Sequence, residues 1–541
     1  MIVRISRWGV TKMKKLYYGG TVLTMERERP VSDAVLTEDG KILAVGNLGD
    51  VSAIEAQRVD LQGRTLMPAF VDGHSHLISM GMNLTKYCDL QGSASVEEIL
   101  ERIAAFRREK GLLNEPITCK GYDPAVMKDE RHPLAADLDR LGGGPVACIH
   151  ISGHVASYNT VAMERAGVLN KDYICPAGGF AGRDENGRLS GYFEETARGA
   201  LSPVFAEKIT REDRKKAVLA AQELYLRHGF GTVQEGSANK AGSFGALAEL
   251  AEEGGLLLDV VAYLNAAVSF APERRELTER WGRESRKHLK IGGVKLFLDG
   301  SPQVRTAWLR KPYEGEAEYC GYPTLTDESV EKRMRLALEE GLQPIAHCNG
   351  DAASEQFLSA WEKLVREDSA RKALRPVMIH AQTVGYDQLE RMAKTGMMAS
   401  FFVGHCFYWG DTHLKNLGER GWRISPVGEA IRRGVPFSFH QDSPVTPPDM
   451  LHSIWCAVNR MTRNGVCIGE ENKISVGAAL EAATVGGAYT YGEENVKGIL
   501  KPGAKADFVI LDRDPLSVPT QELRKIRVSE TIKEDRVLYK A

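Results

Sequence analysis

The chain has 541 residues, 43% of them hydrophobic and 26% charged, with 70 basic side chains against 72 acidic. That length buries a large core without disulfides or a structural metal, and the composition excludes a disordered or fibrous chain. The near-neutral balance gives no overall pull toward nucleic acid or an anionic membrane, and no run approaches the roughly 18 apolar residues that span a bilayer.

Taken in chain order, residues 1–13 carry Arg4 and Arg7 without a long apolar stretch. They make a poor signal peptide and are expected to form an extended or disordered lead-in. Residues 14–65 read as short β segments, with Leu16–Met25 and Lys41–Val45 on either side of an Asp39-Gly40 hairpin turn. The section 66–495 then alternates apolar β runs with helical patterns, as parallel βα units require. Strands are expected at Leu66–Val71, Gly231–Gln234, Leu258–Leu264, Gly293–Leu298, Gln343–His347, Val377–His380, Met397–Phe402 and Pro436–Phe439. Eight of them match an α/β fold of the closed (β/α)8 barrel type. The first two are far apart, and the stretch from about 84 to 205 has helical patterns of its own at Val96–Glu109 and Thr160–Ala166. A structureless loop of that length is improbable, so it is expected to be an inserted α/β subdomain over the active face. Residues 496–541 return to β character at Phe508–Leu511 and Val528–Tyr539, so both ends of the chain are expected to meet in one small β-sandwich. The nine cysteines are scattered, odd in number and lack a C-x-x-C pair, which points to reduced thiols in a cytoplasm.

The strongest chemical signal is Asp72-Gly-His74-Ser-His76, directly after an apolar strand run. Residues i and i+2 of an extended segment point the same way, so both imidazoles can reach one metal. A lone His-x-His is as often a pair of turn or surface histidines. Here, however, His347 and His380 each end a predicted strand and Asp442 closely follows another. In a barrel those carboxyl ends converge on one mouth. Lys295 lies inside an apolar strand, hostile surroundings for an unpaired ammonium; its plain structural reading is an ion pair with Asp299. The glycine clusters Gly142–Gly144 and Gly178-Gly179 lack the strand–helix context of a phosphate loop and read as turns.

These stretches resemble the amidohydrolase superfamily, and within it amidohydrolase family 3, the branch of the YtcJ-like hydrolases and N-substituted formamide deformylase. The resemblance runs through Pro68–His76, Ser152–Asn159, Val294–Ser301, Ala346–Asp351, Ile379–Gln382, Asp442–Pro444 and Gly498–Asp507. It implies that His74, His76 and Asp442 bind a first divalent metal and His347 and His380 a second. Zinc is the expected ion, two per chain, with iron, manganese or nickel as alternatives. Lys295 falls where the family places a bridging lysine carboxylated by CO2. Glu195 also matches a family glutamate, as a ligand, a pocket wall or a support for the inserted segment. Ser75, Ser301-Pro-Gln-Val-Arg305 and His440-Gln441 depart from the family's common pattern.

The chemistry implied is cleavage of an amide-type C–N bond in a small molecule by metal-bound hydroxide. Asp442 serves as general base and then acid. His154 is a candidate for polarising the substrate carbonyl, against a plain structural role. Arg305 is a candidate for holding a substrate carboxylate through its planar fork, against a surface salt bridge, and Trp308 for an aromatic pocket wall, against core packing. Asp351 is a candidate hydrogen-bond partner for His347. Two rivals stand beside this reading: a deaminase of aminated rings on the same barrel, which would use one metal, and a barrel kept as a non-catalytic scaffold. No nucleic-acid or membrane partner is expected, and a homodimer is the default assembly.

Overall fold

The computed structural model describes residues 14–51, 54–170, 173–205, 209–238, 240–266, 272–282 and 284–541. The lead-in expected over 1–13 lies outside them, apart from the strand that opens at Lys14. Eight strands form an all-parallel sheet in chain order: Phe70–Val71, Phe230–Ala238, Asp259–Asn265, Leu289–Phe297, Gln343–Cys348, Val377–His380, Met398–Phe401 and Phe437–Phe439. They are called the first to eighth strands below. All four residues of the sixth strand are buried, as are all six of the fifth. Strands covered on both faces carry continuous apolar runs rather than alternation, which is why they stood out in the sequence. The sheet curls, because the Gly73 N–H just past the first strand donates to the Phe439 carbonyl of the eighth at 3.0 Å. Helices such as Arg211–Arg227, Asp351–Glu367 and Tyr386–Thr395 supply the outer apolar faces.

A second sheet of eight strands joins the two ends of the chain. Its order is Arg536–Lys540, Val528–Lys533, Phe508–Leu511, Thr65–Pro68, Lys14–Leu23, Val31–Glu38 and Lys41–Gly46, with Gln57–Asp60 also pairing Lys14–Leu23. The seam is antiparallel, with Phe508 opposite Pro68 and Leu511 opposite Thr65. Tyr17, Val35, Leu66, Phe508 and Ile532 share its core. A third, six-stranded sheet is built wholly between the first two parallel strands, from Cys88–Asp89 to Leu189–Glu195. The helix Pro272–Trp281 ends on Trp281, whose buried ring packs against Phe244. Among the described residues no helix is long and apolar enough to cross a membrane.

Candidate metal centre

Parallel strands deliver their carboxyl ends to one side of the sheet, and that side holds a cavity of about 270 Å³. Its wall includes His74, His76, His347, His380 and Asp442 from the parallel strands and Lys120, His154 and Arg198 from the inserted sheet.

The first two histidines stand on a rigid turn. Gly73 has no room for a side chain, which would collide with Ser400, Ser438 and the Phe439 carbonyl. Asp72 accepts the His74 N–H at 3.2 Å and the Ser75 hydroxyl. The Gln234 amide settles the tautomer of His74. Its NH2 donates to the Gly73 carbonyl at 3.1 Å, so its oxygen faces His74 Nδ1 at 2.5 Å, and that nitrogen carries the proton. The Nε2 lone pair is left pointing at Lys295 Nζ, 3.0 Å away, and at Asp442 Oδ1, 3.5 Å away. His76 Nε2 is also 3.5 Å from Asp442 Oδ1. The donor atoms of His74, His76 and Asp442 all lie within 4.8 Å of one another. Asp442 Oδ1 is buried and has no hydrogen-bond partner.

The other two histidines end a chain of imidazoles. His347 Nε2 donates to the Gly300 carbonyl at 2.9 Å, which occupies that nitrogen. His380 Nδ1 faces His440 Nε2 at 3.1 Å, and His440 Nδ1 faces the Ser400 hydroxyl at 2.8 Å. The remaining nitrogens, His347 Nδ1 and His380 Nε2, converge at 2.9 Å. His380 Nε2 also lies 3.9 Å from Asp442 Oδ2.

Burial holds all these imidazoles neutral: His74, His347, His380 and His440 fall well below the usual histidine range, and His76 falls to about 3. Burial also pushes Asp442 up to about 6 and Lys295 down to about 7. His380 and Asp442 sit in the left-handed backbone region, at φ 71° and 52°, which residues other than glycine adopt at some cost. Neutral imidazoles with convergent lone pairs, beside a buried carboxylate oxygen bonded to nothing, are the donor set of a divalent cation. The residues fit such an ion.

His154 contributes to the wall from the inserted segment, backed by Glu195. The carboxylate holds His154 Nδ1 at 2.9 Å. Burial alone would lower the His154 pKa, but the charge and hydrogen bond of Glu195 outweigh it and raise it above the usual value. The His154 ring stands 4.9 Å from that of His347.

Other sequence candidates fall elsewhere. Arg305 pairs with Glu316 at 3.0 Å and lines a separate cavity with Asp123, His132 and Lys415. Trp308 is half-buried against the main core and gives its backbone N–H to Asp299 at 3.0 Å. Asp351 accepts the Arg310 N–H, and the carboxylate nearest His347 is Asp299, at 3.5 Å. Asp299 also binds the N–H groups of Asn349 and Gly350, so it organises the loop after the fifth strand and has no ion pair with Lys295. Sequence reading missed Gln234, Lys120 and Arg198 altogether, and treated His440 as a departure from pattern. Only His440 left a trace, two residues before Asp442.

The sequence model of the Amidohydrolase family matches residues 57–539. The chain belongs to that family. Among curated relatives, the amidohydrolase-family protein YtcJ of Bacillus subtilis strain 168 is 27% identical over 97% of this chain and 99% of its own length. The N-substituted formamide deformylase of Arthrobacter pascens is 25% identical over 96% of this chain and 98% of its own. A solved metal-dependent hydrolase of Pyrococcus horikoshii superposes with a TM-score of 0.75 at 28% identity, covering 94% of this amidohydrolase and 99% of that chain. Family and relatives together support a hydrolase that uses a divalent metal.

Proposed function

We propose that this amidohydrolase cleaves an amide-type C–N bond of a small molecule at the cavity described above. The observation that carries the reading is Asp442 Oδ1, a buried carboxylate oxygen without a hydrogen bond, 3.5 Å from two imidazole nitrogens. In this reading His74, His76 and Asp442 hold one divalent cation and His347 and His380 a second, with zinc the expected ion. When bound, the metal polarises a carbonyl oxygen and lowers the pKa of water toward neutrality.

The chain's own groups do the proton work. Asp442 takes a proton from the attacking water and passes it to the departing nitrogen. His154, kept protonated by Glu195, donates a hydrogen bond to the substrate carbonyl. Lys295, an amine in a site that favours its neutral form, adds through its nitrogen lone pair to CO2: the N–C bond forms as one C=O π bond opens to a carboxylate oxygen, and the surplus N–H proton is released to water. This places an anionic oxygen donor between the two histidine pairs. In this reading the curled parallel sheet is a closed (β/α)8 barrel within the 66–495 section, and residues 14–65 and 496–541, joined by the strand Thr65–Pro68, form the small β domain. The insertion at about 84–205 forms the roof of the pocket. The deformylase relative makes small N-acylated amines, formamides included, the first substrates to try.

Asp442→Asn is expected to lower kcat roughly 10²- to 10⁴-fold while metal content, read by elemental analysis, stays largely intact. Unchanged turnover would defeat the role of Asp442. A metal count of one per chain would defeat the paired-ion reading.

A further inference from the structure

Lys120 and Arg198 are not needed by the chemistry above, yet both line the same cavity as the metal donors. They come from different parts of the inserted sheet: Lys120 from the strand Ile117–Tyr122, Arg198 from the turn Thr196–Ala200 that follows Glu195. Burial, with repulsion from the Arg198 charge, lowers the Lys120 pKa to about 8. Lys120 Nζ rests over the Tyr87 ring at 4.3 Å. Arg198 gives one N–H to the Gly153 carbonyl, and its buried Nε bonds to nothing. Among the described residues no carboxylate forms an ion pair with either. Glu195 is engaged by His154, and Asp442 lies beside Lys295, whose charge it feels. Two neighbouring cations in a confined pocket, without an anion to balance them, are an unfavourable arrangement that an anionic ligand relieves. The remaining wall mixes apolar Ile149, Ile151, Phe297 and Val445 with polar Ser79, Asn83 and Ser152.

We propose that the substrate carries a carboxylate, gripped by Lys120 and Arg198, at one end of the amide that is cleaved beside Asp442. An arginine fork and a point-charge ammonium together suit a carboxylate, and a cavity of about 270 Å³ admits a compact molecule of this kind. The inference rests on the hydrolase reading for the word substrate, but the anion site stands on its own residues.

The test compares short N-acyl amino acids and monoamides of dicarboxylic acids with their methyl esters, on metal-loaded enzyme. The first set puts the carboxylate on the amine side and the second on the acyl side. The acids of one set are expected to exceed their esters in kcat/KM. Lys120→Gln and Arg198→Gln should each reduce that acid-to-ester ratio roughly 10- to 100-fold, the size of a lost charged hydrogen bond, mainly through KM. A second readout needs no turnover: calorimetric titration with butyrate, against butyramide, on wild type and both variants at measured metal content. Butyrate binding that weakens in the variants upholds the site. Esters cleaved as well as acids, or butyrate binding untouched by both substitutions, would overturn it. If no amide of either kind is cleaved, the hydrolase reading falls, while butyrate binding that depends on Lys120 still upholds the anion site.

Discussion

Two clusters of buried charge lie at opposite ends of the same parallel strands, and they are built to opposite rules. At the amino ends, Asp259 accepts Lys497 and Lys533 at 2.7 Å, Lys505 at 3.2 Å and His288 at 2.7 Å. Lys533 also binds Asp507, and Glu493 takes Lys497 at 2.8 Å and Lys290 at 3.0 Å. Every charge there faces an opposite one. At the carboxyl ends, neutral imidazoles crowd one another and an oxygen of Asp442 goes unbonded. The contrast teaches how to tell a clamp from a receptacle: the first cluster is complete in the protein alone, the second only with something added.

The largest effect expected from breaking the contrast is at the clamp. Asp259→Asn leaves Lys497 with Glu493 alone and Lys533 with Asp507 alone, an excess of buried positive charge, and should cost about 3–5 kcal/mol of unfolding free energy, measured by urea titration, with kcat/KM of the folded fraction little changed. A drop in activity without a drop in stability would erase the distinction. His440→Ala, at the receptacle, removes the group that orients His380. It should weaken metal binding roughly 10- to 100-fold, read by competition with a chelating dye.

The smallest effect, and the sharpest, is one of sign in metal-free protein. Asp259 is held well below the ordinary carboxylate range, because its three lysines and His288 outweigh the opposing cost of burial. Its contribution to stability is therefore present above the unfolded value near 4 and lost as pH falls. Asp442 is raised to about 6 by burial, so its contribution is greatest below the unfolded value and lost as pH rises through 6. Thermal melts of Asp442→Asn should thus gain on wild type between pH 5 and 8, whereas those of Asp259→Asn lose least at acid pH. Parallel pH profiles of the two variants would contradict both assignments.

Much of this was legible in the sequence, and for identifiable reasons. Seven of the eight parallel strands announce themselves because strands buried on both faces are spelled as apolar runs, as in Val377-Met-Ile-His380, whereas the run expected as one strand over Leu66–Val71 is divided between Thr65–Pro68 of the terminal sheet and Phe70–Val71 of the parallel one. His74, His347 and His380 were found because each directly follows or ends such a run. The groups that were missed share a different property. Lys120 and Arg198 lie in the insertion, and nothing in the local pattern of a six-stranded side sheet says which of its residues overhang a neighbouring mouth. Gln234 sits inside the second strand and reads as a polar interruption. Only its bond to His74 gives it a task. Arg305 failed for the converse reason: its fork promised a substrate, but Glu316 already occupies it.

The seam between Thr65–Pro68 and Phe508–Leu511 joins segments more than four hundred residues apart. A nascent chain emerging from the ribosome can pair the first partner with Lys14–Leu23 on one edge, but the other edge stays open until more than four hundred further residues have been made. Its Met67 backbone must wait for Val509. Long-range pairing of this kind makes for slow closure and a vulnerable interval. A truncation ahead of Phe508 would leave Thr65–Pro68 paired on one edge only, by Lys14–Leu23.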